Sequence, residues 1–578
     1  MISRIAISDI SPAVFFGGEF LPVKAIPGER ITISATIVIE GHEKLTAEVV
    51  LHGVGGKVIS RSQMLENWPG SNRFEGEVLV PSEGDYFFIV EADSTSQYRT
   101  VMGSSEKYPI YADRERALVG SWYEFFPRSE GAVKNPDGTI TSGTFKTALK
   151  RIPAIADMGF NVLYLPPIHP IGVSHRKGAN NSLTTAPGDP GVPWAIGETA
   201  GGHDAINPEL GTMEDFKNFV AVAKKNGIEV ALDLALQTSP DHPWVQSHPE
   251  WFNKRADGTI AYAENPPKKY QDIYPLNFDD NYEGLRNEVL RIIRLWVSKG
   301  VEIFRVDNPH TKPVHFWQDL LAIVRAESPH VIFLAEAFTA PAMMHALGKA
   351  GFHQSYTYFT WRSSKAELTD YGRELSTHTS AFFRPNLWVN TPDINPFHLH
   401  GGNPAIFALR AVLAATLSPS WGMYAGYELY EHLPLKPDGE EYLDSEKYQF
   451  KIRDWDGAAK KGLTLAPFIK KLNEIRAANS ALLRLRNLVF HYTESEAIIA
   501  YSKRDGDNLI LVVVNLDPNY AQGTIIHWDT KALGIDGTSF IVKDLLDGST
   551  FNWSPDTYVS LDPTRPVGKV AHICQVKI

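Results

Sequence analysis

The chain has 578 residues, 43% of them hydrophobic and 21% charged, which is more than one ordinary core can hold and implies two to four globular domains. Its net charge of −11 argues against nucleic acid or an anionic membrane as the main partner. The single cysteine, Cys574, excludes an intrachain disulfide and a Cys-rich metal centre; no apolar run approaches the ~20 residues that span a bilayer, the start MISRIAISDI carries no secretory pattern, and the cytoplasm is the expected location.

Residues 1–112 read as β. ITISATIVIE alternates Ile31, Ile33, Ala35, Ile37 and Ile39 with mostly polar partners, and EGEVLV and DYFFIVEA follow across a turn at Pro81, Glu83 and Gly84. Strands at this spacing predict an N-terminal antiparallel β-sandwich.

From 113 to 485 short apolar runs alternate with helical stretches. GSWYEFF, FNVLYLPPIHP, IEVALDLAL, VEIFRVD, VIFLAEAF, QSYTYFTW, RPNLWVNTPD and SWGMYAGYEL make eight strands of the type buried on both faces, with amphipathic segments such as MEDFKNFVAVAKKNG between them. Eight such units predict an α/β protein with a (β/α)8 TIM barrel; an open doubly wound sheet is the alternative. The polar, Pro-rich stretch at about 238–284 is too long for a simple loop and predicts a lobe inserted over the active face. A helix is expected from Pro467 to Arg486, burying Phe468, Ile469, Leu472, Ile475 and Leu482. Residues 486–578 return to β, with a hairpin at Asp505-Gly506-Asp507 and Cys574 on a buried strand, and predict a C-terminal antiparallel β-sandwich domain.

Chemistry in such a barrel lies at the C-terminal ends of the strands. Asp307 ends VEIFRVD, Glu336 ends VIFLAE and Asp393 ends LWVNTPD, each expected directly after an apolar strand, while Asp233 lies deeper. A buried carboxylate there costs energy unless it is paired or used. Arg305, two residues before Asp307, points to the same side of the strand and would keep it ionised; the apolar neighbours Ala335, Ala337 and Phe338 would keep Glu336 protonated. One ionised and one protonated carboxyl is what glycosidic chemistry needs. A purely structural Arg305–Asp307 ion pair is the competing explanation.

FRVDNPHTKP, FLAEAF, VNTPDINPF and ALDLALQTSPDHPW resemble short regions of the α-amylase superfamily. RALVGSWYEFFPRSEG, DLALQTSPDHPW and DNPHTKPV are more similar still to the maltosyltransferases that extend α-1,4-glucans from maltose 1-phosphate. Gln237, Thr238 and Pro392 stand where ordinary amylases have Asn, His and His, and fit that narrower group. The resemblance implies a retaining glycosyltransferase with Asp307 as nucleophile, Glu336 as acid/base and Asp393 as transition-state stabiliser. It places the donor's phosphate against Asn265, Lys268 and Tyr270 of NPPKKYQD and against Asn308, and the donor's sugars against Lys177, Asn181 and Gln237, with Lys447 and Tyr448 holding the sugar farther from the cleaved bond. Val192 falls in a loop beside the groove and receives no role.

The reaction so implied needs no metal or organic cofactor, and its partners are a maltose 1-phosphate donor and an α-1,4-glucan acceptor. A homodimer is also expected. Many relatives carry a helical subdomain inserted in the N-terminal sandwich, however, whereas this chain runs almost directly from VEADSTSQYRT to RERALVG. Two other functions fit the same motifs: an amylase-type hydrolase or transglycosylase, and a non-catalytic glucan-binding scaffold.

Overall fold

The computed structural model describes residues 4–41, 43–95, 100–265, 268–565 and 567–577. The N-terminal strands form one path in the order Ile5–Ser11, Arg30–Ile39, Arg73–Leu79, Val58–Glu66, Thr46–His52, Gly84–Thr95, Tyr108–Ala112 and Val23–Ala25. Strand Val58–Glu66 pairs with Thr46–His52 along most of its length, but its end, Leu65 and Glu66, pairs with Arg73–Leu79, so it passes between two layers. The expected alternation holds: Ile31, Ile33, Ala35 and Ile37 turn inward onto Val49, Leu51, Phe88 and Val90. Strand Thr100–Ser104 pairs antiparallel with Gly84–Thr95, Thr100 opposite Thr95.

Eight parallel strands follow: β1 Gly120–Glu124, β2 Val162–Leu165, β3 Glu229–Leu234, β4 Ile303–Val306, β5 Ile332–Ala335, β6 Gln354–Ser355, β7 Asn386–Trp388 and β8 Ser420–Tyr424. Each pairs with its neighbour in sequence, β8 pairs with β1, and a parallel bridge from Ser355 to Pro385 joins β6 to β7, closing the barrel. Helices such as Met213–Lys225, Tyr282–Ser298, Val314–Glu327 and Pro404–Leu417 cover the outside. Inside, Trp122, Tyr164, Tyr356 and Trp388 pack with Ile303, Ile332 and Leu334. Two indoles fit because their neighbours lack a side chain: a Cβ on Gly422 would lie 2.5 Å from Trp388, and one on Gly120 would lie 2.7 Å from Trp122.

Two segments depart from the sequence expectation. QSYTYFTW contributes only Gln354 and Ser355 to the barrel, because Thr357 caps a short 3-10 turn, Tyr358–Trp361, by accepting the Phe359 N–H at 3.3 Å. The helix expected to reach Arg486 stops at Ala478; Asn479 is extended and held by Asn508 from the next domain, and a 3-10 turn, Ser480–Leu483, carries Leu482 into the core. Beyond it an eight-stranded antiparallel sheet folds onto Leu511, Val513, Trp528 and Cys574, with Ile498–Asp505 and Asn508–Asn515 paired across the Gly506-Asp507 turn.

The N-terminal sheet is fixed to the barrel by buried charge. Arg384 donates to Asp113 at 2.7 Å and to the Ala25 carbonyl at 2.8 Å. None of the described helices is long and apolar enough to cross a membrane.

Candidate active site

The ends of β4 and β5 present the first two predicted acids. The Asp307 N–H donates to the Leu234 carbonyl at 3.1 Å and the Glu336 N–H to the Val306 carbonyl at 3.0 Å, so both residues extend the ladder by one step and are fixed by it. Arg305 lies between them. One of its Nη atoms donates to Asp307 at 2.9 Å and to Asp233 at 2.7 Å, and the other meets Glu336 at 2.6 Å. One guanidinium thus bridges three carboxyls from three adjacent strands, all of them buried. Asp233 also accepts from the Tyr164 hydroxyl at 2.5 Å and the Trp194 indole at 3.2 Å.

Burial raises the pKa of each of these acids, and their neighbours then divide them. For Asp307 burial is outweighed by Arg305, by the Lys312 ammonium and by a hydrogen bond with Glu336, so it lies below the usual carboxylate range. For Glu336 burial dominates; Arg305 opposes it, the negative charges of Asp307 and Asp393 add to it, and the group lies well above that range. Asp233 is pushed up to about 7, again by burial first. A site with one ionised and one protonated carboxyl can supply attack and proton donation together. Glu336 holds its proton despite touching a cation, so the apolar setting expected around it is only part of the cause.

Asp393 is placed differently from the expectation. It does not follow β7 directly but lies five residues past Trp388 in a turn closed between Thr391 and Ile394, with its side chain 43% exposed at the barrel mouth. Its carboxylate forms an ion pair with Lys447, whose ammonium stands 5.5 Å from the Trp194 ring centre and 5.8 Å from that of Tyr448. Asp393, Lys447, Tyr448, Tyr442 and Asn180 line one small pocket.

The other predicted residues make the following contacts. Lys177 is buried and donates to Gln271 at 2.8 Å. Asn181 lies half-buried on a left-handed turn, but its neighbour Asn180 reaches the Lys447 loop, donating to Asp444 at 3.1 Å. Gln237 donates to the Trp194 carbonyl at 3.5 Å. Tyr270 packs against Ile171, Ala195 and Ile273. Asn265 and Lys268 face each other in the hairpin Ala263–Asn265/Lys268–Tyr270, but their side chains, and Pro266 and Pro267 entirely, lie outside the described residues. Asn308 is exposed beside Asp307 and adopts the left-handed region, φ 41° and ψ 54°, which Asn tolerates better than most residues.

Three residues that the sequence reading left unassigned complete the centre. Trp194 contacts Asp233, Gln237 and Lys447 and so joins the buried group to the mouth. The Lys312 ammonium donates to the carbonyls of Asp307 (3.3 Å) and Asn308 (3.2 Å), holding the turn behind the nucleophile candidate. Glu124 ends β1 two residues after the inward-facing Trp122, and burial raises it well above the carboxylate range. A single charge in the apolar run WYEFF was its only sequence signal.

Elsewhere, Asp544, His572 and Cys574 bring one potential metal-ligating atom each within 4.8 Å of one another. The His572 Nδ1 lies 2.7 Å from Asp544, whose other oxygen takes the Leu546 N–H, an arrangement that ties a turn to the sheet.

Family models match in three places: one for domain N/S of α-1,4-glucan:maltose-1-phosphate maltosyltransferase over residues 3–108, one for the α-amylase catalytic domain over 124–285, and one described as GLGE, C-terminal, over 490–576. A curated α-1,4-glucan:maltose-1-phosphate maltosyltransferase from Corynebacterium glutamicum is 53% identical, covering 99% of this chain and 96% of its own length. Another, from Streptomyces coelicolor, is 48% identical with the same coverage. That alignment runs over 652 positions against a chain of 578, so the relative carries segments that this chain lacks. The crystal structure of an α-amylase from Geobacillus thermoleovorans shares the fold at a TM-score of 0.61 and 17% identity, covering 79% of this chain and 98% of the other. With 48–53% identity along nearly its whole length, the chain belongs to the α-1,4-glucan:maltose-1-phosphate maltosyltransferase family.

Proposed function

We propose that the protein transfers a maltosyl unit from α-maltose 1-phosphate to the non-reducing end of an α-1,4-glucan by a double displacement with retention. The observation that carries this reading is the Arg305 bridge, which holds Asp307 ionised beside a protonated Glu336. Asp307 attacks the anomeric carbon; its C–O bond forms as the bond to phosphate breaks, and the Glu336 proton passes to the departing phosphate oxygen. Asp393 leaves Lys447 to grip ring hydroxyls as oxocarbenium character develops. The acceptor's 4-hydroxyl then displaces Asp307 and returns its proton to Glu336, restoring both groups.

The phosphate is assigned to Asn265, Lys268, Tyr270 and Asn308, the reacting and neighbouring sugars to Lys177, Asn181 and Gln237, and the distal sugar to Lys447 and Tyr448. The left-handed turn at Asn308 and the clustering of Lys447 and Tyr448 with Asp393 support these assignments. Residues 1–112, 113–485 and 486–578 are taken as three domains, with 238–284 as the lobe over the site. Cytoplasmic location and a homodimer complete the proposal; light scattering tests the latter.

Incubation with α-maltose 1-phosphate and maltotetraose tests the reading. Phosphate release matched by products two glucose units longer is expected. Disproportionation of maltotetraose alone, with no phosphate released from the donor, would instead support the amylase-type alternative.

A further inference from the structure

The steps above make no use of Arg128, although it is buried at the mouth of the barrel four residues past β1. One Nη atom donates to the Gly191 carbonyl at 2.8 Å; the other donates to the carbonyls of Glu446 at 2.7 Å and Lys447 at 3.0 Å. No carboxylate forms an ion pair with it among the described residues, and burial pushes its pKa down to about 10. A buried cation whose hydrogen bonds all go to main-chain carbonyls is costly, so what it secures is the placement of those carbonyls.

Both of the loops it joins lead to Lys447, one directly and the other through the Trp194 ring. Gly191 precedes Val192 and Trp194, and Glu446 precedes Lys447 and Tyr448. The Glu446 side chain is anchored on the other side by the Tyr424 hydroxyl and by Arg453 at 3.1 Å. The backbone at Glu446 and Lys447 is therefore gripped from two directions, which leaves the Lys447 ammonium aimed at Asp393 over the Trp194 ring. The guanidinium itself packs 5.7 Å from the ring centre of Phe126, which makes an edge contact with Trp194.

We propose that Arg128 is a positioning residue that shapes the pocket for the second, non-reacting sugar, and thereby sets the preference for a two-sugar over a one-sugar donor. The proposal rests on the assignment of Lys447 and Tyr448 to that sugar. Contacts with a remote sugar supply binding energy that a one-sugar donor lacks, so loosening them affects the larger donor more.

The test compares Arg128→Lys, Arg128→Gln, Lys447→Ala and Arg128→Lys/Lys447→Ala, using α-maltosyl fluoride and α-glucosyl fluoride as donors and maltotetraose as acceptor. Lysine keeps the charge but lacks the planar fork that spans three carbonyls, and glutamine keeps donors without the charge. Both Arg128 variants are expected to raise KM for the maltosyl donor about tenfold with kcat little changed, the scale of a lost charge-assisted hydrogen bond. The loss on the glucosyl donor is several-fold smaller, and the double variant is no worse than Lys447→Ala. An equal loss on both donors, or additive effects in the double variant, would overturn the role of Arg128. Should Lys447→Ala fail to distinguish the donors, the pocket assignment itself falls, and that result is separate. Melting temperatures identify any variant that is unfolded; the proposal is then decided on the one that folds.

Discussion

At the scale of single residues, the central feature is that similar burial yields opposite protonation states. Asp307 and Glu336 contact the same guanidinium, but Lys312 lies behind Asp307, whereas Glu336 feels the charges of Asp307 and Asp393. The proposed double displacement needs Asp307 ionised and Glu336 protonated. The acid limb of the pH–kcat/KM profile is therefore expected below the usual carboxylate range and the alkaline limb well above it. Lys312→Met removes one of the cations that depress Asp307, so the acid limb should move to higher pH; an unmoved limb would show that Arg305 alone sets it. The Arg305–Asp307 pair was legible in the sequence because two residues apart on a strand means one face. Its bridge to Asp233 and Glu336 was not, since that depends on which strands lie side by side and in what register. Trp194 and Arg128 were hidden for a related reason: both act through loops whose meeting no spacing records.

At the scale of elements, strand existence was easier to read than strand length. Eight apolar runs declared the barrel, because parallel strands buried on both faces need apolar residues at almost every position. Their ends were set by tertiary detail instead. Thr357 stops β6 by capping a turn, and Asp393 lies beyond β7 because the intervening residues form a separate loop. The helix before the C-terminal domain was overread since Leu482 continues its apolar stripe after the helix has ended. Packing of the barrel interior also depends on two glycines, Gly120 and Gly422, whose importance no periodicity shows. Gly422→Ala places a Cβ against Trp388 in a filled interior and is expected to cost about 1–3 kcal/mol of stability, the usual range for overpacking. Urea denaturation checks this, and an unchanged midpoint would mean that the Trp388 ring moves freely aside.

At the scale of the whole molecule, the segments that follow β2 (166–212) and β3 (235–281) are joined by buried neutral histidines. The Trp244 N–H donates to His242 at 3.0 Å, His242 lies 3.1 Å from His203, and His203 lies 2.8 Å from the Ala235 carbonyl. The run is consistent only with neutral rings that each donate once and accept once. Nearby, His169 contacts the Ala205 carbonyl at 2.9 Å. Burial depresses His169, His203 and His242 to about 3, 4 and 2. Above about pH 6.5 the folded and unfolded states are alike in having these rings neutral. Below that value the unfolded chain takes up protons that the folded chain refuses, so stability falls with falling pH down to the folded-state values. The melting temperature is expected to drop from pH 6.5 toward pH 4, and His203→Gln should start lower but drop less steeply; a parallel slope would remove this cluster as a cause.

The most direct test of the account is to trap the glycosyl–enzyme. A Glu336→Ala variant given α-maltosyl fluoride needs no proton for departure of the leaving group but lacks the base for the second step, so the intermediate should accumulate. Intact mass spectrometry is expected to show one added maltosyl unit, with peptide mapping placing it on Asp307. An adduct on another residue, or transfer products of β configuration from the parent enzyme, would contradict it.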